Sequence, residues 1–122
     1  MTTRLAVCLM ILTCVAAHML AADVGGRWKV TITVGGEAVT GLALLNQSGN
    51  DITGSIGANE ANQHPLDGVM DGNRIVLTTH PRPGRTVAFD KCHLTLDGEK
   101  MTGTTEGGDL GQKATIELVR MK

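Results

Sequence analysis

Aromatic side chains are nearly missing from this 122-residue chain: one tryptophan, one phenylalanine and no tyrosine. Without them the chain cannot build an avidin-like site, where a flat polar ligand sits between tryptophans. Long runs of like charge are missing too. Eleven basic and twelve acidic side chains are interspersed along the sequence, which leaves no electrostatic footprint for nucleic acid or for an anionic membrane. Cysteine is scarce where it would count: Cys8 and Cys14 lie near the start, and Cys92 stands alone in the remainder. A disulfide framework within one chain is therefore excluded once the first segment is removed. Helical periodicity is absent beyond that segment, and no nucleophile motif, phosphate loop or metal signature occurs.

The first segment reads as an export signal. Met1–Arg4 is short and carries one positive charge, Leu5–Ala17 is apolar but too short to span a membrane with ease, and Ala21-Ala22 supplies small residues for cleavage. We expect a signal peptide over 1–22, a single domain over 23–122 with no membrane span left after cleavage, and a secreted or periplasmic destination. Cys14 raises a lipoprotein reading, but Thr13 and Ile11 before it fit that signal poorly. Asn46-Gln47-Ser48 is a glycosylation sequon that matters only in a eukaryotic secretory pathway.

What the chain has in plenty is glycine: all sixteen fall after residue 22. Three of them recur in one phrase. Gly49-Asn50-Asp51-Ile52, Gly72-Asn73-Arg74-Ile75 and Gly98-Glu99-Lys100-Met101 each set a turn glycine three residues before an apolar residue. Two copies continue alike, as Ile52-Thr53-Gly54-Ser55 and Met101-Thr102-Gly103-Thr104. Repeated turn-then-strand units mark a β-meander. Between Arg27 and Val34 apolar and polar residues alternate, the pattern of a half-buried strand, and Gly35-Gly36 follows as a hairpin turn.

Further strands are predicted over 37–47, with Leu42 and Leu44 inward, over 52–56, from 65 or 66 to 70, and over 74–79. Three more follow over 86–96, 100–105 and 112–120. The parity change inside 86–96 calls for a bulge near Asp90-Lys91. Eight short antiparallel strands in sequence order most economically close into an all-β, eight-stranded up-and-down barrel, since closure removes exposed edges. One end then carries the three glycine turns. The other carries long loops over 57–64, 80–85 and 106–111, where loop-borne function belongs.

Gly26-Arg27-Trp28 opens the first strand and Arg120 sits near the end of the last, so closure would set a guanidinium against an indole. In these residues the chain resembles the lipocalin-like (calycin) barrels, whose Gly-x-Trp opens the first strand and whose tryptophan plugs the closed end beside an arginine. The chain is shorter than typical members and has neither their usual disulfide nor their C-terminal helix. The resemblance implies a structural pair, Trp28 and Arg120, and identifies no ligand.

An eight-stranded barrel is either filled by its own side chains or holds one small ligand. Interior candidates for contact with a guest are Trp28, Ile52, Met70, Leu77, Phe89 and Met101, and an aliphatic lining suits a small apolar molecule. Gly54, Gly68 and Gly103 on the same face would leave local room. At the loop end, His64, His80, Arg82 and Arg85 gather with Glu60, Glu106 and Asp109. The histidines with a carboxylate could bind a metal and the arginines an anionic partner, although polar side chains on solvated loops are expected without either role.

Cys92-His93 does not form a nucleophile–base pair, because adjacent strand residues point to opposite faces. The expectation is a non-enzymatic, cofactor-free binding module for a small apolar ligand. The alternative is a protein-binding barrel acting through its loops, resembling the small periplasmic inhibitors of metalloproteases, which carry a disulfide that this chain lacks.

Overall fold

The computed structural model describes residues 23–122. The expected signal peptide over 1–22, with Cys8 and Cys14, lies outside the described residues. The strands are β1 (Gly26–Val34), β2 (Glu37–Ser48), β3 (Asp51–Asn59), β4 (Asn62–Asp71), β5 (Arg74–Thr79), β6 (Lys91–Asp97), β7 (Lys100–Glu106) and β8 (Thr115–Arg120). Each pairs antiparallel with the next, and β8 returns to pair with β1, closing the barrel. The fold is thus all-β, an eight-stranded antiparallel meander with no helix among the described residues.

Alternation drives this closure. On β1, Trp28, Val30 and Ile32 are buried while Arg27 and Lys29 face water. The cross-strand register carries that inward phase around the sheet: Trp28 lies opposite Ala43, Ala43 opposite Ile56, Met70 opposite Ile75, Ile75 opposite Leu94 and Met101 opposite Leu118. A slip of one residue anywhere would turn a whole strand's apolar set to solvent. Gly49, Gly72 and Gly98, with φ near 60° (62°, 63° and 63°), each stand first in a two-residue loop, the position where only glycine is at ease. All three loops lie at one end, the base.

The base is sealed by the seam between first and last strands. Trp28 is fully buried and pairs with Arg120, whose guanidinium carbon lies 4.4 Å from the ring centroid. The indole Nε1 donates to the Val24 carbonyl at 2.9 Å, and Arg120 donates to the carbonyls of Gly25 and Asp23 at 2.5 and 2.6 Å. Its Nε also pairs with Glu99 on the last base turn. Residues 23–25 are therefore drawn across the bottom, with Val24 buried beneath the tryptophan. Gly26 adopts φ 131°, and a Cβ there would stand 3.2 Å from Arg120 Nη1. That crowding is the physical content of the Gly-x-Trp spacing.

Four expectations need correction. On β2 the inward residues are Ala43 and Leu45, not Leu42 and Leu44. A small residue has to face Trp28, and alanine supplies it. Leu42 is buried from outside: the β3–β4 hairpin bulges between Gly57 and Asn59 and folds back over β2. There Gln63 donates to the Leu42 carbonyl at 3.1 Å and Glu60 reaches Arg27 on β1.

The stretch expected as a loop over 57–64 is accordingly mostly strand, closed by a turn at Glu60-Ala61. The strand expected over 86–96 begins only at Lys91. Val87 and Phe89 are buried from a loop that tucks into the barrel end, so the parity change marks where loop meets strand rather than a bulge. Finally, Gly54, Gly68 and Gly103 do face inward, but they leave no free room. A Cβ on them would lie 1.9, 2.2 and 1.7 Å from backbone oxygens of Leu44, Val76 and His93. The neighbouring strand already occupies that space, which lets the sheet bend sharply enough to close.

Candidate functional site

The barrel interior divides into two levels. Trp28, Ile52, Met70, Ile75, Leu77, Leu94, Met101 and Leu118 fill the lower level, each buried to 5% exposure or less. Above them, at the mouth, lies a cavity of about 280 Å³. Val30 and Ile32 of β1, Ile56 of β3, His64 of β4 and Thr79 of β5 line it from the barrel, Val39 to Gly41 from β2, and Thr86 to Phe89 from the loop between β5 and β6. The lining is mainly aliphatic, with one phenyl ring and one imidazole.

Local sequence shapes the rim of this space. Gly41 is the β2 residue opposite Val30, and it approaches the Gly57 carbonyl so closely that a Cβ would sit 2.5 Å from that oxygen. As at Gly54, Gly68 and Gly103, the neighbouring strand occupies the place a side chain would take, so Gly41 borders the cavity with backbone alone. Beyond Ile56 the β3–β4 hairpin turns outward, so its tip cannot fill the mouth. What covers the top instead is the loop of residues 80–90.

Hydrogen bonds hold that loop in place. Buried Thr79 donates its hydroxyl to the Phe89 carbonyl at 2.8 Å and its amide to the Asp90 carbonyl at 2.9 Å. The Asp90 amide donates to Glu106, and the amides of Asp109 and Leu110 donate to Val87 and Ala88. Gly107 and Gly108, with φ of 74° and 72°, bring the β7–β8 loop against it, where a Cβ on Gly108 would stand 2.5 Å from Phe89 Cα.

Of the six interior candidates, Phe89 lines the cavity; Trp28, Ile52, Met70, Leu77 and Met101 belong to the packed level below. His64 does not belong to a solvated loop. It lies on β4 opposite Ile56 and lines the cavity, and its Nδ1 is buried with no hydrogen-bond partner among the described residues. Its phase was visible in the sequence, since 64, 66, 68 and 70 alternate together. Thr79 was legible by the same rule, following Ile75 and Leu77.

The remaining mouth residues stay apart. His80 lies outside, with Nε2 2.9 Å from Asp67 Oδ2. Arg82 and Arg85 are exposed on the covering loop, and Asp109 accepts from Thr86 at 2.6 Å. Among the described residues no group of three or more histidine, cysteine, aspartate or glutamate side chains is placed to hold a metal ion. Cys92 faces the core and His93 faces out toward Glu106. Burial pushes the Cys92 thiol up to about 12, a hydrogen bond involving the Leu77 backbone offsetting part of the rise. Such a thiol stays protonated at neutral pH and is no nucleophile.

Comparison with protein families, with curated proteins and with solved structures yields no match. The functional reading accordingly rests on the barrel and its cavity.

Proposed function

We propose that this protein is an exported, non-enzymatic module that binds one small, mainly apolar molecule in the mouth of its barrel. The observation that carries the reading is the cavity beneath Phe89, lined by Val30, Ile32 and Ile56 and bordered by Gly41 and the outward-turned hairpin. Export is supported by the n-region, apolar run and Ala21-Ala22 of the first 22 residues. Kinship with the lipocalin-like barrels is supported by Gly26, Trp28 and Arg120 at the closed end, since that group couples the same stacked pair to a binding mouth.

Size sets the class of guest. A cavity of roughly 150 Å³ takes up benzene, so about twice that volume suits a molecule of about ten non-hydrogen atoms. At about 0.5 kcal/mol per atom, between the limits for very small and for drug-sized ligands, binding is worth about 5 kcal/mol, a dissociation constant somewhat below about 1 mM. The alternative reading, a partner docking on the outside, needs a contiguous apolar patch. Of the exposed large apolar side chains, Val39 borders the cavity, Val69 sits on β4, and Val119 and Met121 lie at the end of β8, a strand that is not a neighbour of β4 in the barrel.

Titration of isotope-labelled protein with toluene, followed by nuclear magnetic resonance, tests the proposal. Saturable shifts are expected at Val30, Ile32, Ile56, Thr79 and Phe89, with the base residues around Trp28 unmoved. Shifts spread over the outer faces, or none up to the solubility of toluene, would refute it.

A further inference from the structure

The geometry points to His64 as the polar anchor of the cavity, selecting small neutral guests that carry one hydrogen-bond acceptor, such as a ketone or an ester. This inference rests on the binding role proposed above and names its ligand class. His64 lines the cavity, and no partner among the described residues meets its buried Nδ1. The other polar side chains of the lining are already committed or turned away. Thr79 donates to the Phe89 carbonyl and Thr86 to Asp109, while Thr40 pairs with Thr31 on the outer phase of the sheet.

An imidazole in this setting has a preferred tautomer. With the proton on Nε2, the unpartnered Nδ1 keeps only a lone pair and no N–H is left buried without an acceptor. The ring's donor is then Nε2, the nitrogen that is not a buried orphan, and the inferred partner is a molecule seated among Val30, Ile32, Ile56 and Phe89. Charge decides the rest. No lysine or arginine lines the cavity, so a carboxylate would surrender its hydration with no counter-charge to replace it. A carbonyl asks for one donor and finds one.

A matched pair of probes tests this: acetophenone and α-methylstyrene have the same shape and differ by a carbonyl against a methylene. Dissociation constants are measured for both with wild-type protein, His64→Leu and His64→Gln. The expected result is that His64→Leu weakens acetophenone about fivefold while leaving α-methylstyrene unchanged or tighter, and that His64→Gln, which keeps a donor, restores part of the loss. Benzoate should bind wild-type protein less tightly than acetophenone.

Equal loss of both isosteres in His64→Leu, or tighter benzoate, overturns the anchor while the apolar cavity stands. Failure of toluene and of both isosteres overturns the binding role, and the anchor with it. A readout that needs no variant is the long-range proton–nitrogen spectrum of the His64 ring in the wild-type protein. Protonation at Nε2, with a shift of that nitrogen on adding acetophenone but not α-methylstyrene, is expected. Protonation at Nδ1 contradicts the assignment.

Discussion

Gly103→Ala removes the cooperative melting transition or lowers its midpoint by more than about 12 °C. The added methyl group has nowhere to go: built on the existing backbone, it stands 1.7 Å from the His93 oxygen and 2.7 Å from the carbonyl carbon behind it. In an open sheet the neighbouring strand could swing away. Here β6 is held on its other side by β5, and the ring closes through β1 and β8, so a displacement must be passed around the whole barrel. Overpacking in a compliant core costs about 1–3 kcal/mol. A clash with backbone in a closed ring should cost at least the upper part of that range. About 3 kcal/mol in a domain of this size moves the midpoint by about 12–24 °C.

Circular dichroism during heating measures this, and Gly49→Ala serves as the comparison. Gly49 has φ 62° but nothing within 4 Å of its would-be Cβ, so it should lose only the conformational penalty of about 1–2 kcal/mol. A melting midpoint for Gly103→Ala within a few degrees of wild type would show that β6 and β7 can part, and that the bend is not set there.

The second large effect is expected from Trp28→Ala. The indole is the largest fully buried side chain, and it joins three things at once: the core above, Arg120 across the seam, and Val24 beneath. Truncation leaves a cavity, strips the guanidinium of its aromatic face and leaves the Val24 carbonyl without its donor. Phenylalanine or tryptophan to alanine in a core costs about 3–5 kcal/mol, a large fraction of the 5–15 kcal/mol that about spans the stability of whole domains. Urea denaturation followed by circular dichroism should show the midpoint fall steeply. Trp28→Phe, which keeps a ring under Arg120 but loses the Nε1 donor, should lose distinctly less. Equal losses in the two variants would mean that the stacked ring adds nothing beyond filling space.

These two positions also show what was legible in the sequence. Alternation from Arg27 to Val34 and the three turn glycines could be read directly, because period and turn chemistry are local properties. Closure followed from strand count and order, and the Trp28–Arg120 contact followed from closure. The faces of β2 are ambiguous in the sequence because Leu42 through Leu45 are all apolar: the deciding fact is which of them must be small opposite Trp28, and that is tertiary. Gly54 and Gly103 announced themselves as a repeat, yet their role as bends depends on how near the next strand comes.

The mouth is the least legible region. Val87 and Phe89 alternate like strand residues while belonging to a loop, because a loop that plugs a barrel also buries every second side chain. In sequence His64 reads as part of a solvated loop, because its polar neighbours Gln63 and Asn62 outweigh the parity that it shares with Leu66. The cavity lies where the β3–β4 hairpin folds outward to cover Leu42 and the loop carrying Phe89 borders the mouth instead.

Crystals of the protein held under xenon pressure test the central claim most directly, since xenon enters enclosed apolar space without needing any polar contact. One xenon site is expected, in contact with Val30, Ile32, Ile56 and Phe89 and above the level of Leu77 and Met101. A mouth free of xenon, with Phe89 or its neighbours packed across that space, would contradict the reading of this barrel as a vessel.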